Sequence, residues 1–315
     1  MIVPVDPASR IAFLGPAGTF TEEAVRSQAD LAAAKPVPRR SFTDVLAAVE
    51  SGAADYGFVA IENSIEGSVN AALDQLIFER DLYIVREVVL PVTQNLLVKP
   101  GTKLESLRRV VSFPVATAQC RAWLGKHLPD VEEVASTSTA EAVREVAESQ
   151  DTATAAIGTT LAASLYGLEV LGAEIEDNAD NVTRFALVAE TDKGIPPATG
   201  HDKTSIVCYQ SADRPGSLHH ILGQFSARDI NLVKLESRPT KRALGEYCFV
   251  IDMVGHVADE VVSDTLRDLH ATLRDLKFLG SYPAAGDDAH QIRQEASQRW
   301  HAADEWIRSV QKQVR

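Results

Sequence analysis

The chain has 315 residues, about twice one typical domain of ~100–200 residues, so two globular units are expected. It is 45% hydrophobic and 24% charged, which excludes disorder, collagen and coiled-coil rods for its bulk. Its net charge of −13, from 44 acidic against 31 basic residues, argues against a nucleic-acid or anionic-membrane surface spread over the molecule, so an anionic ligand needs a local site.

Short apolar runs alternate with helical patterns from the start: residues 11–15 then a helix from Thr19, residues 56–61 then a helix near 69–78, residues 110–111 then a helix over 114–127, and residues 153–157 then a helix over 159–166. This is the βαβα rhythm of parallel, doubly wound sheets. Capping boxes at Thr19–Glu22, Ser41–Asp44 and Ser138–Glu141 each set a hydroxyl three residues ahead of a carboxylate and mark helix starts. In the middle, two extended apolar segments, 82–90 and 92–98, are separated only by Pro91. Such a stretch is expected to leave one sheet and enter another, giving two α/β lobes with a cleft between them over 10–190; residues 185–189 would return to close the first lobe. A Gly/Pro-rich linker follows at 191–203. Beyond it the order becomes βαββαβ, a ferredoxin-like α+β unit over 204–282: strands at 204–209, 230–236, 246–254 and 278–282, helices from Asp213-Arg214-Pro215-Gly216 to about 228 and over 260–274. The tail, 283–315, carries an apolar seam at Ala296, Trp300, Ala303, Ile307, Val310 and Val314.

The three cysteines, Cys120, Cys208 and Cys248, are odd in number and widely spaced, as expected for buried free thiols in a reducing compartment. The first ten residues lack a basic segment followed by an apolar run, and nowhere do ~18 apolar residues follow one another. A cytoplasmic protein without membrane or nucleic-acid partners is expected. No phosphate-binding loop, complete G-x-G-x-x-G or paired-histidine metal motif occurs, so no cofactor and no metal are expected.

Four polar clusters stand where strands meet helices or loops. The first, GPAGTFTE at 15–22, holds Gly18 and Thr19, whose turn and following helix start present N–H groups to an anion. The second, ENSIEGSV at 62–69, follows a strand and offers Glu62, the amide of Asn63, the hydroxyl of Ser64, and Gly67. The third, SFPVATAQC at 112–120, supplies Ser112, which is also placed to cap a helix, and Gln119 within that helix. The fourth, DNADNVTRF at 177–185, sets Thr183, Arg184 and Phe185 side by side.

In their order and spacing, GPAGTFTEEA, ENSIEGSV, SFPVATAQC, STAEA at 138–142 and NVTRF at 181–185 resemble prephenate dehydratase, which converts prephenate to phenylpyruvate in phenylalanine biosynthesis. The βαββαβ unit resembles the ACT regulatory domain that follows the catalytic region in that family. With no chorismate mutase region before residue 10, the resemblance implies a monofunctional form. It implies two lobes like a type II periplasmic binding protein, Thr183 as the foremost catalytic residue, and Asn63, Ser112 and Gln119 as further catalytic positions. Gly18, Thr19, Glu62, Ser64, Gly67, Arg184 and Phe185 would bind the substrate, its two carboxylates meeting N–H groups after Gly18 and Gly67 and the Arg184 cation. Thr183 would donate or relay a proton to the departing ring hydroxyl, with water or Glu62 as an alternative source. Phenylalanine would bind the ACT domain at Gly216, Ser217, Leu218, Asn231, Glu236, Ser237, Arg238 and Pro239, at interfaces of a homo-oligomer, dimer or tetramer. Here Gly216-Ser217-Leu218 departs from the family's usual Gly-Ala-Leu. Two other readings stay open: an arogenate dehydratase, and a ligand-sensing regulator without catalysis.

Overall fold

The structure is a computed structural model that describes residues 3–210, 214–243, 245–285, 306–309 and 311–312. In chain order it begins with β1 (Arg10–Leu14), α1 (Phe20–Arg26), α2 (Ala29–Ala33), β2 (Lys35–Arg39), α3 (Phe42–Glu50), β3 (Tyr56–Asn63), β4 (Gly67–Ser68), α4 (Asn70–Asp74), a π-helical turn (Gln75–Glu79) and β5 (Leu82–Pro91). Then come β6 (Asn95–Val98), β7 (Arg109–Ser112), α5 (Pro114–Ala118), α6 (Arg121–His127), β8 (Glu132–Ala135), α7 (Thr139–Glu148), β9 (Thr154–Gly158), α8 (Thr160–Tyr166), β10 (Glu169–Gly172) and β11 (Val182–Glu190). The last region runs β12 (Asp202–Tyr209), α9 (Ser217–Ser226), β13 (Leu232–Pro239), β14 (Tyr247–Val254), α10 (Glu260–Thr272) and β15 (Asp275–Pro283). Two compact units result: Pro4–Leu73 with Val88–Val188, and Asp74–Glu87 with the chain from Ala189 onward.

The first unit holds two lobes. One sheet has the order β2-β1-β3-β11-β5 with β4 on β3, and the other β10-β6-β9-β7-β8. Strands β1, β2 and β3 are parallel, as are β7, β8 and β9, while the returning β11 runs antiparallel to β3 and the entering β6 antiparallel to β9 and β10. Both sheets are thus mixed, because the chain enters the second lobe on β6 and re-enters the first on β11. In the second lobe, alternate residues of each central strand face opposite layers. Leu96, Val98, Val110, Ala155 and Ile157 pack with Ala116, Cys120 and Leu124 on one side. Leu97, Val111 and Ala156 pack with Val143, Val146, Ala162 and Ala163 on the other. Burial on both faces explains why these strands read as uninterrupted apolar runs.

Local sequence signals account for the helix starts. Thr19, Ser41 and Ser138 each accept a hydrogen bond from the backbone N–H three residues on, at 3.3, 3.1 and 3.0 Å. At the first of these the Glu22 carboxylate also reaches back, accepting from the N–H of Gly18, the residue before the cap, at 2.8 Å. Two expectations about helices are corrected. The helix expected over 114–127 is broken into α5 and α6, since the Gln119 carbonyl accepts from Asp177 N at 2.7 Å and the Asp177 carboxylate takes the Ala122 N–H. The one expected near 69–78 is a short α-helix that widens into a π-helical turn. Strands β2, β8 and β10 were not expected, and each is an edge strand. Edge strands shed the buried alternation that marks interior ones, and Pro36 and Pro38 in β2 suit an edge that needs fewer donors.

In the second unit, β12 to β15 form an antiparallel sheet of order β13-β14-β12-β15, the ferredoxin-like arrangement. Ile206, Cys208, Ile251 and Met253 meet Ile221 and Phe225 of α9 and Val262 and Leu269 of α10 on one face. On the other, Ser205 Oγ donates to Asp252 at 2.5 Å and lies 2.6 Å from the Tyr282 hydroxyl, a satisfied buried polar group. Tyr209 Oη donates to the Ile77 carbonyl at 3.0 Å, and Lys277 Nζ to that of Arg80 at 2.6 Å, so the C-terminal carbonyls of the π-helical turn are capped. All three cysteines are free and buried, and burial pushes the Cys120 and Cys208 thiols up to about 12 and Cys248 to about 11, away from reactivity. Of the tail seam, Ile307 is exposed; Ala296, Trp300, Ala303, Val310 and Val314 lie outside the described residues.

Gly280 stands at a bulge of β15 with φ +140°, and a Cβ there would lie 2.3 Å from the Ile84 carbonyl oxygen. The three nearest atoms are all backbone of Ile84, so none can swing aside. Gly280→Ala is therefore expected to cost at least about 2 kcal/mol of stability, read from denaturant melts; an unchanged midpoint would contradict this packing.

Candidate functional site

The second and fourth polar clusters meet because β3 and β11 are antiparallel neighbours in a register that sets Thr183 opposite Asn63 and Arg184 opposite Glu62. The third cluster contributes Gln119, held at the break between α5 and α6. Three stretches of distant sequence thereby supply one hydrogen-bonded group.

The group is a closed circuit. Asn63 Nδ2 donates to Asn181 Oδ1 at 2.7 Å, Asn181 Nδ2 to Gln119 Oε1 at 3.2 Å, and Gln119 Nε2 to Glu66 Oε1 at 3.3 Å. The Glu66 backbone N–H donates at 3.0 Å to Asn63 Oδ1, closing the ring. Because Asn63 Oδ1 accepts from both Ile65 and Glu66, its nitrogen must face acceptors, and each amide in the ring has one orientation only. That nitrogen also donates to Thr183 Oγ1 at 2.9 Å. The threonine oxygen is thus an acceptor here, which directs its own proton elsewhere. Gln94 joins from the second lobe, its Nε2 donating to Gln119 Oε1 at 3.4 Å.

The remaining residues singled out from the sequence fall differently. Ser112 stays out of the group and caps no helix: it is fully buried, and Oγ donates to the Ile157 carbonyl at 2.9 Å. Phe185 is 1% exposed and stacks on Phe58 with ring centroids 5.2 Å apart, a core contact. Gly18 fastens one lobe to the other, while Thr19 caps α1 within its own lobe. Gly18 N–H is taken by Glu22, its carbonyl accepts from Thr159 Oγ1 at 2.8 Å, and at φ +89° a Cβ would come 2.8 Å from Ala162 of α8. Thr19, also buried, donates to the Leu14 carbonyl. Gly67 pairs with Asn63 in β4, so its neighbourhood is strand, and Ser64 ties this turn down by accepting from Val182 N at 3.0 Å. Arg184 pairs with Glu62 at 3.2 Å at the next ladder position, where strand alternation turns side chains away from those of Thr183 and Asn63.

In the ferredoxin-like unit, Gly216 adopts φ +86° as the N-cap of α9, Ser217 Oγ donates to the Arg214 carbonyl at 2.9 Å, and Leu218 packs on the core. The Asn231 carbonyl accepts from Val254 N. Arg238 bonds Glu236 at 2.8 Å, while Ser237 and Pro239 are exposed. Among the described residues, no group of three His, Cys, Asp or Glu side chains is set to hold a metal, and no helix is long and apolar enough to cross a membrane.

Sequence reasoning missed Asn181, Glu66 and Gln94. Asn181 and Glu66 sit inside quoted motifs, but nothing local marks an asparagine as the bridge between two lobes; Gln94 lies in an apolar run and carries no signal. Asn181 is 1% exposed, and Asn181→Leu removes one hydrogen bond from each of its two partners, Asn63 and Gln119. A loss of about 1–3 kcal/mol in urea denaturation is expected; no loss would mean that the ring does not form in solution.

The family model for prephenate dehydratase matches residues 11–193, and that for the ACT domain matches 204–271. A prephenate dehydratase of Mycolicibacterium vanbaalenii is 44% identical over 287 residues, 87% of this chain and 90% of the relative. Among solved structures, a prephenate dehydratase from Arthrobacter aurescens in complex with L-Phe is 39% identical, with a TM-score of 0.84 over 96% of this chain and 99% of the other. A protein described as GqqA, a novel type of quorum quenching acylase, is 30% identical with a TM-score of 0.78, covering 88% and 98%. The chain belongs to the prephenate dehydratase family and carries an ACT domain.

Proposed function

We propose that the chain converts prephenate to phenylpyruvate, carbon dioxide and water, with Thr183 as the proton-delivering group. The carboxylate on the ring leaves as carbon dioxide, its bonding electrons enter the ring, and the carbon–oxygen bond opposite breaks as the hydroxyl takes one proton and departs. Aromaticity drives the reaction, so the protein's tasks are positioning and delivery of that proton. The observation that carries the reading is the polarity of the Asn63–Thr183 bond. Asn63 Nδ2 donates to Thr183 Oγ1, which frees the hydroxyl proton for a ligand and stabilises the oxygen as that proton is given up. Solvent or Glu62, on the adjacent residue of β3, resupplies it.

The same polarity disfavours acyl transfer. A nucleophilic hydroxyl needs a neighbour that accepts its proton, and here the neighbour is a donor. Arg184 supplies the cation for a substrate carboxylate by exchanging its Glu62 partner, while Gln119 and Asn63 orient the ring substituents.

Regulation belongs to the same reading. Phenylalanine binds the ACT domain at residues 216–218, 231 and 236–239, in a cytoplasmic homo-oligomer, and shifts the catalytic lobes between two states of different effector affinity. The L-Phe complex of the Arthrobacter relative supports an effector of this kind.

Purified protein is expected to form phenylpyruvate from prephenate, more slowly when phenylalanine is present. Thr183→Ala should lower kcat by about 10²–10⁴ while an unreactive prephenate analogue still binds. Near-normal turnover in this variant would remove Thr183 from the chemistry, and arogenate run in parallel would expose a preference for the amino substrate.

A further inference from the structure

Arg238 lies in the second unit with only 8% of its surface exposed, yet two carboxylates claim it. Its Nη1 donates to Glu236 Oε1 at 2.8 Å and its Nη2 to Asp74 Oδ1. Lys241 Nζ holds the other Asp74 oxygen at 2.6 Å, and Lys234 Nζ stands 3.5 Å from Glu236. Glu236 and Arg238 belong to one strand, β13, but Asp74 is 164 residues away and ends α4.

We infer that Asp74 is the exchangeable carboxylate of the effector site: it occupies the Arg238 guanidinium in the absence of ligand, and the α-carboxylate of an amino acid takes its place. This rests on the reading that phenylalanine binds around residues 236–239. A guanidinium offers a planar fork matched to carboxylates, so an incoming one competes for the geometry Asp74 now fills. Glu236 is the poorer leaving partner, since it is fixed in the β13–β14 ladder opposite Val250 and keeps Lys234. Asp74, once displaced, keeps only Lys241 among these cations, a side chain 52% exposed whose pairing solvent screens.

The exchange has a direction along the chain. α4 begins at Asn70, directly after the turn that leaves β4, and Gly67 and Ser68 of β4 pair with Asn63 and Glu62. Release of Asp74 therefore slackens the segment that continues from the strand bearing the catalytic amide. An effector reaches the reaction by removing one ion pair, and linkage requires that the same pair oppose effector binding.

The test uses the full chain, with phenylalanine as the probe, its binding read by calorimetry and its inhibition of prephenate turnover read in parallel. Asp74→Asn is expected to bind phenylalanine at least threefold tighter while its maximal inhibition falls by half or more. Lys241→Ala, which leaves the Arg238–Asp74 pair, is expected to keep its inhibition. Unchanged affinity and inhibition in Asp74→Asn would overturn the exchange, as would weaker binding, which would make Asp74 a ligand contact. Hydrogen exchange on the wild-type chain gives a readout independent of any variant: phenylalanine should speed exchange at Asn70–Asp74 at least threefold, and unchanged or slowed exchange there would overturn the proposal. A wild-type protein that neither binds phenylalanine nor is inhibited by it would sink the parent reading of the effector site instead.

Discussion

The side-chain amide of Asn63 is the point on which the site turns. Its oxygen is occupied by the two backbone N–H groups of its own turn, so its nitrogen is committed outward to Asn181, the Val182 carbonyl and Thr183. From that one orientation the rest follows: Asn181 must accept from Asn63 and donate to Gln119, and Gln119 must donate to Glu66. A side chain with two donors and two acceptor sites would otherwise be free to flip, and a flipped Asn63 would turn an acceptor toward Thr183. The local turn thus fixes the polarity of a hydroxyl in another strand.

The circuit is possible only because of how the chain passes between lobes. β5 and β6 carry it out of the first sheet into the second, and β11 brings it back antiparallel to β3, with Asn181 at the point of re-entry. The same loop inserts Asp177 at the break between α5 and α6, which presents Gln119 at a helix end instead of on a helix flank. Gly18 fastens the lobes from another direction by lying against α8 without a side chain between. Residues that sequence motifs single out therefore divide in two: Asn63, Gln119 and Thr183 join the hydrogen-bonded group, while Gly18, Thr19, Ser112 and Phe185 make buried contacts around it. Chemically the site is built mainly from neutral groups, with Arg184 and Glu62 as its adjoining pair.

Legibility in the sequence varied with how local each cause was. Three helix starts were readable because a capping box is a four-residue interaction, complete within its own segment. Central strands were readable because burial on both faces demands unbroken apolar runs, as in TAAIG of β9. The edge strands KPVPR, EEVA and EVLG were not, since a strand with one neighbour and a wet face has no fixed pattern to keep. The break after α5 was hidden for another reason: its cause, Asp177, lies more than fifty residues downstream.

From its residues alone the chain determined its two-part architecture, the crossing of an extended segment between lobes, the ferredoxin-like order of its second half and the motifs that mark a family. Those features follow from patterning and turn chemistry, which act over a few residues at a time. Which polar residues of those motifs face one another was decided only by the tertiary structure. Hydrogen-bond partners at separations such as Asn63–Asn181 or Gln119–Glu66 depend on strand register and on where the chain re-enters a sheet, and a single residue of slip would turn each of these side chains to the opposite face.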